Sequence, residues 1–172
     1  MSLLRIETPR LLLRPFSPAD APAVVKLDAD SDVIRFMLAP QFSEAEMAEV
    51  ISRYAARYDE NGFGMIAGVL KATGALVGRY GVQRIPVDGV EELEITYSTR
   101  REYRRQGYAL EATEAVLEAA WREGISRLVG CIAPDNEPSV RLAERLGFHF
   151  ERDVVLKETT MRLYAMLSPA LR

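Results

Sequence analysis

The chain has 172 residues, 48% of them apolar and 27% charged, with a formal net charge of −3; this length buries one substantial core and is short for two. The acidic balance leaves no broad electrostatic footprint for nucleic acid, and no run of about 18 apolar residues escapes a charge, which argues against a membrane-spanning helix. One cysteine, Cys131, and one histidine, His149, allow no internal disulfide and supply too few soft ligands for a zinc site, so no metal is expected.

Arg5, Glu7 and Arg10 interrupt the opening residues, so no signal-peptide core is expected there. The lone thiol fits a reducing cytoplasm, which is the expected location. Residues 9–16, PRLLLRPF, read as a short first strand. Ser17 followed by Pro18 is a helix start, and a first helix is expected through the apolar positions up to about Asp30. Ser43 and Glu46 stand at capping-box spacing and Gly62 closes a second helix. Two apolar runs around KATG, residues 71–74, predict an antiparallel hairpin, and a turn at Asp88 and Gly89 leads into a strand through Leu93, Ile95 and Tyr97.

A third helix is predicted over residues 108–122, with Ala109, Ala112, Val116 and Ala120 inward and Glu111, Glu114, Glu118 and Arg122 outward. SRLVGCIA, residues 126–133, is a nearly continuous apolar strand suited to a sheet covered on both faces. A short helix ending at Gly147 and two last strands complete the order. No repeat, low-complexity tract or linker interrupts it, so residues 1–172 are expected to form one domain of mixed α/β type, with helices on both faces of the sheet.

Between the Tyr97 strand and the third helix the chain reads RREYRRQGYALEAT, residues 100–113. Strand, arginine loop, glycine and helix in that order put unpaired amide groups and the positive end of a helix dipole at one place, which suits a phosphate. Neither GxxxxGK[ST] nor GxGxxG is present, so the common nucleotide loops are excluded.

RRQGYA, residues 104–109, resembles the Q/R-x-x-G-x-G/A pyrophosphate loop of the GNAT superfamily of acetyl-CoA-dependent N-acetyltransferases. EITY before it, GYALEA after it and NEPSVRLAERLGF at residues 136–148 are similar to further segments of that family. ETPRLLLRPFSPAD, residues 7–20, resembles the N-terminal signature of the branch containing RimJ and RimL, the ribosomal-protein alanine N-acetyltransferases. The resemblance implies a mostly antiparallel, seven-stranded sheet splayed between its fourth and fifth strands. It also implies acetyl-CoA as cosubstrate, its pantetheine arm in the gap against the backbone of Ile95, Tyr97 and Thr99. Arg104, Arg105, Gln106, Gly107, Tyr108, Ala109 and Leu110 would surround the pyrophosphate, with Asn136 against the pantetheine arm or in a plain turn.

Acetyl transfer to nitrogen needs a neutral amine, a polarised carbonyl and a proton for the departing thiolate. Glu94 is the candidate base, direct or through water; the other readings are a substrate-amine anchor and a solvated strand residue. The tyrosine that many family members carry four residues before the LGF glycine is here Ala143. Ser139 matches the serine often found early in this helix in the RimJ/RimL branch, and the resemblance makes it the candidate proton donor near the sulfur, or merely a helix cap, with Tyr164 a fallback donor or a packing residue. Cys131 reads as an inert buried thiol, and His149 as a surface strand residue.

The expected partners are acetyl-CoA and an amine acceptor, with no nucleic acid and no membrane, and a homodimer left open. The acceptor is a protein or peptide N-terminal α-amine, attacking directly in a ternary complex. Alternatives are a small-molecule or antibiotic amine, and a CoA-binding domain without turnover.

Overall fold

The computed structural model describes residues 5–37 and 41–171 of the chain, and its frame is one eight-stranded sheet. In chain order the strands are β1 (Ile6–Glu7), β2 (Leu11–Arg14), β3 (Met65–Leu70), β4 (Leu76–Val87), β5 (Val90–Thr99), β6 (Arg127–Ile132), β7 (His149–Leu156) and β8 (Thr159–Leu167). Their order across the sheet is β1-β2-β3-β4-β5-β6-β8-β7. Every neighbouring pair is antiparallel except β5 and β6. The expected count of seven is corrected by β1, a two-residue strand whose pairing with Leu12 and Leu13 is too short to leave a periodic signal. The expected opening between the fourth and fifth strands therefore falls between β5 and β6.

Strand alternation divides the core between the two faces. Ile66 turns toward one cluster with Leu13, Tyr80, Ile95, Val116 and Phe148, while its neighbours Met65 and Ala67 turn to another with Phe16, Val24, Met47 and Ile51. The first face carries α4 (Tyr108–Arg122) and α5 (Glu137–Leu146), and the second α1 (Ala21–Asp28) and α3 (Glu44–Asn61). The capping box of α3 forms as predicted: Glu46 N–H donates to the Ser43 hydroxyl, and Ser43 N–H donates back to the Glu46 carboxylate at 2.8 Å. Beneath α1, Arg79 Nη1 of β4 donates to Asp28 Oδ2 at 3.0 Å and Nη2 lies 2.9 Å from Oδ1 as an ion-pair contact, a pair almost wholly removed from water.

The sequence reading missed α2 (Ser31–Met37), which follows α1 after a short break. Asp30 creates it: its carboxylate accepts the Asp32 N–H at 3.0 Å and its carbonyl the Ile34 N–H at 2.9 Å, the pattern of an N-cap. The segment SDVIRFM has β-branched residues and no helical stripe, so its stability comes from contacts made elsewhere in the chain.

The β4–β5 hairpin is long enough to reach over the other half of the sheet, where Val87 packs with Val129, Val154, Met161 and Leu163. Its turn at Asp88 and Gly89 has positive φ at both positions, 49° and 80°, the geometry that matches strand twist in a two-residue hairpin. Between β7 and β8 the same geometry is imposed on Lys157 and Glu158, at φ 46° and 64°. L-residues with a Cβ pay for that conformation, so Lys157→Asn combined with Glu158→Gly is expected to raise unfolding free energy by about 1 kcal/mol, read from urea denaturation.

Candidate active site

The parallel strands β5 and β6 pair at one position only, Glu94 opposite Val129. Beyond it, from Ile95 to Thr99, β5 is paired with β4 on its other side and not with β6, so the sheet opens at Glu94. The Glu94 carboxylate lies across this fork. One oxygen accepts the Cys131 backbone N–H from β6 at 3.3 Å; the other accepts from Gln83 Nε2 at 2.8 Å and from the Thr96 hydroxyl at 3.2 Å. Burial pushes the carboxyl above its ordinary value, and the three donors pull against that shift without cancelling it. Glu94 is thus not a solvated strand residue. A carboxylate with a raised proton affinity, set where a sheet splits, has the chemistry of a general base.

Cys131 is half-buried, its thiol pushed up to about 12 by burial first and by the negative charges of Glu94 and Glu92. That makes it the inert thiol the sequence suggested. Iodoacetamide at neutral pH should label native Cys131 at least about 100-fold more slowly than free cysteine, and urea should abolish the difference. Labelling at the free-thiol rate in the native state would contradict this.

At the C-terminal end of β5 the chain turns through a short 3₁₀ segment, Arg101–Tyr103, into the loop before α4. Arg105 and Gly107 both have positive φ, 59° and 81°, and α4 then starts with no side chain capping it. The first amides of the helix, from Tyr108, Ala109 and Leu110, are left facing outward as an anion-binding end. Gly107 suits this place through its left-handed backbone, and a Cβ there would sit 3.2 Å from the end of the Arg10 side chain, which would have to shift by a few tenths of an ångström.

The four arginines do not form one phosphate rim. Arg104 donates to Thr99 O at 2.9 Å, to Asp30 at 2.9 Å and to Asp32 at 2.8 Å, and Arg101 donates to Asp30 at 2.8 Å. Arg100 is taken by Leu76 O and Glu102. Among the described residues, Arg105 alone of the four has no hydrogen-bond or ion-pair partner. Arg101 and Arg104 instead clamp the start of α2 onto the loop. Burial opposes the charge on Asp30, yet the two guanidinium hydrogen bonds prevail and hold its carboxyl far below the usual range. Gln106 donates to Glu102 O at 2.9 Å and so braces the same turn.

The N-terminal ETPR segment has a structural purpose at this loop. The Thr8 hydroxyl, Arg10 N–H and Arg10 Nε converge on Glu111 at 2.6, 2.8 and 2.6 Å, while Arg10 Nη1 donates to Gln106 O at 2.8 Å and its guanidinium stacks over Tyr108. Glu111, expected on a solvent face, is half-buried and ion-paired instead. A helical wheel places it correctly on α4 but has no access to a partner from the first strands.

Opposite the loop, Asn136 caps α5, its side-chain oxygen accepting the Ser139 N–H at a long 3.4 Å. The cap is therefore Asn136 and not Ser139. Tyr97 reaches across from β5 and donates its hydroxyl to Ser139 O at 3.1 Å, and burial pushes that phenol well above its ordinary range. Ile95 is buried beneath, and the Thr99 hydroxyl meets the Tyr80 hydroxyl at 2.9 Å. Tyr164 is buried in the core with its ring edge on Phe150, which makes it a packing residue. Ala143, in the slot of the family tyrosine, is buried as well. The structure thus brings Glu94, Tyr97, Thr99, Asn136, Ser139 and the 104–110 loop to the open side of one fork.

A family model described as the Acetyltransferase (GNAT) domain matches residues 10–149. The chain belongs to this family. Among curated relatives, the uncharacterized N-acetyltransferase YoaA of Bacillus subtilis is 30% identical over 149 residues, covering 85% of this chain and 83% of YoaA. A crystal structure of a GNAT-family acetyltransferase from Bacillus anthracis is similar with a TM-score of 0.80 at 25% identity, covering 95% of this chain and 98% of that one. RimL, a ribosomal L7/L12 α-N-protein acetyltransferase solved with coenzyme A, has the same fold, with a TM-score of 0.76 at 18% identity over 96% of this chain and 99% of its own.

The protein is a GNAT acyltransferase, and acetyl-CoA is the cosubstrate of this family. The residues present fit such a carrier. An uncapped helix end behind two left-handed residues suits a diphosphate, and a strand edge released from its neighbour suits an amide-bearing arm. No described helix is long and apolar enough to cross a membrane.

Proposed function

We propose that this GNAT domain acetylates the N-terminal α-amine of a protein or peptide, in the manner suggested by its likeness to the RimJ/RimL branch, by direct attack in a ternary complex. The observation that carries the reading is the Glu94 carboxylate at the single β5–β6 pair, a position at the mouth of the fork that supports its acting as the base. The Arg105–Gly107 turn and the first amides of α4, from Tyr108 to Leu110, hold the diphosphate, with Arg105 the guanidinium free to reach it and Arg104 and Gln106 keeping the turn in shape. Backbone of Ile95, Tyr97 and Thr99 faces the pantetheine arm, and Asn136 and Ser139 border it from α5.

Bound acetyl-CoA supplies an activated thioester carbonyl. Glu94 accepts the proton that the amine loses as the N–C bond forms, and the Ser139 hydroxyl gives a proton to the departing sulfur as the C–S bond breaks, to be reprotonated from solvent. An α-amine titrates near 7.7–8.0 and a lysine near 10.4, so at pH 7 deprotonation costs about 1 kcal/mol for the first and about 4–5 for the second. One buried carboxylate suits the smaller demand.

The test offers acetyl-CoA with peptides beginning in alanine or serine, Nα-blocked peptides containing lysine, a polyamine and an aminoglycoside, and locates the acetyl group by mass spectrometry. Acetylation at the free N-terminus supports the proposal. Turnover confined to small amines or lysine side chains overturns the α-amine reading, and acetyl-CoA binding without turnover on any amine overturns the catalytic one.

A further inference from the structure

Gln83 of β4 stands directly opposite Glu94 of β5 in the antiparallel register, so the two side chains share a face of the sheet. Its Nε2 lies 2.8 Å from Glu94 Oε2 and 3.2 Å from Thr96 Oγ1. A carboxylate only accepts, so the amide nitrogen must be the end turned toward it. Among the described residues no donor reaches the carbonyl end of the same amide. Gln83 also lines a surface recess between α3 and the β3–β4 strands, together with Tyr54, Phe63, Met65 and Arg84. One side chain therefore touches both the carboxylate in the fork and an open concavity.

We propose that Gln83 is a positioning residue: from the floor of this recess its amide N–H orients the Glu94 carboxylate and favours its charged form, while its carbonyl oxygen receives an N–H of the acceptor amine arriving through the recess. The inference rests on Glu94 as the base and names the side from which the acceptor reaches it.

Other charged groups on the elements around Glu94 are committed elsewhere. Arg127 on β6 is held by Glu92 and Glu151, Arg79 on β4 by Asp28, and Arg84 on β4 by Glu91. The Cys131 thiol and the Tyr97 phenol are both pushed up by burial and, in part, by the charge of Glu94 itself. Stabilising that charge therefore falls to neutral donors, and the bond from Gln83 is the shortest of the three. A buried carboxylate losing such a donor retains its proton to higher pH.

Carboxyl-¹³C NMR of glutamate-labelled protein, with the Glu94 signal assigned by its loss in Glu94→Gln, reads this without any acceptor. Gln83→Leu should raise the Glu94 midpoint by about half to one pH unit and Gln83→Lys should lower it. With an alanine-initiated peptide, the acid limb of kcat/KM should move in the same directions, and both variants should raise the peptide KM while leaving that of acetyl-CoA unchanged. Since Gln83 is half-exposed, at least one variant should keep the wild-type circular dichroism spectrum. An unmoved NMR midpoint in a folded variant overturns the inference, as does an unchanged peptide KM. Failure of the base reading looks different: the acid limb would persist in Glu94→Gln, whatever Gln83 does to the NMR signal.

Discussion

Glu94→Gln is expected to lower kcat/KM by about 10²- to 10⁴-fold, with acetyl-CoA affinity by calorimetry changed less than about threefold. The substitution keeps the shape of the side chain and removes its ability to take a proton. Besides the rise from the peptide amine near 7.7–8.0, the wild-type pH profile should carry a second, more acid ascending limb, because the base must be ionised to work and becomes so as pH rises. Burial raises the carboxyl above the ordinary 4.5, so the midpoint of that limb should lie above this value and the limb should vanish in the variant. Full activity in Glu94→Gln would remove the base from the mechanism. Because folding raises this proton affinity, Glu94 favours the native state most at acid pH, and that contribution is lost as pH climbs through its folded value.

Arg79→Met is expected to be the most damaging stability change, about 3–5 kcal/mol in urea denaturation and a melting temperature lower by about 10 °C. Arg79 and Asp28 are 4% and 3% exposed, so truncating the arginine strands a carboxylate away from water. Even in the native protein, burial raises the Asp28 carboxyl more strongly than Arg79 lowers it. In the variant that shift grows. A raised folded value means stability held at low pH and lost as pH rises, so the deficit should be greatest near neutrality and shrink toward the ordinary 3.8. The double variant Asp28→Leu/Arg79→Met should recover most of the loss, since two packed apolar chains carry no desolvation cost. A double variant as unstable as the single would show that the pair contributes through packing and not through charge.

Elements whose signals are local were legible in the chain. The α3 capping box is two residues three apart, the Asp88–Gly89 turn is two adjacent residues, and the 104–110 loop is a contiguous segment whose backbone geometry follows from its glycine and its place before a helix. Glu94 was legible as a candidate because it lies in the strand leading to that loop. Gln83 was not: it is eleven residues away in sequence and becomes Glu94's neighbour only through the β4–β5 register. Asp30 and Asp32 were likewise invisible as partners of Arg101 and Arg104, and with them α2, whose own residues carry no helical period.

The sequence alone determined most of the order of elements, the mixed sheet with helices on both faces and a left-handed turn at Gly107, because these follow from nearest-neighbour sterics and short-range periodicity, while the kinship with acetyltransferases was legible through the likeness of its motifs to those of the GNAT family. Tertiary structure decided which arginines remain available for phosphate, which residue caps α5, and the raised proton affinity of Glu94. Those depend on burial and on charges brought together from distant parts of the chain, and desolvation and Coulomb interactions act through space.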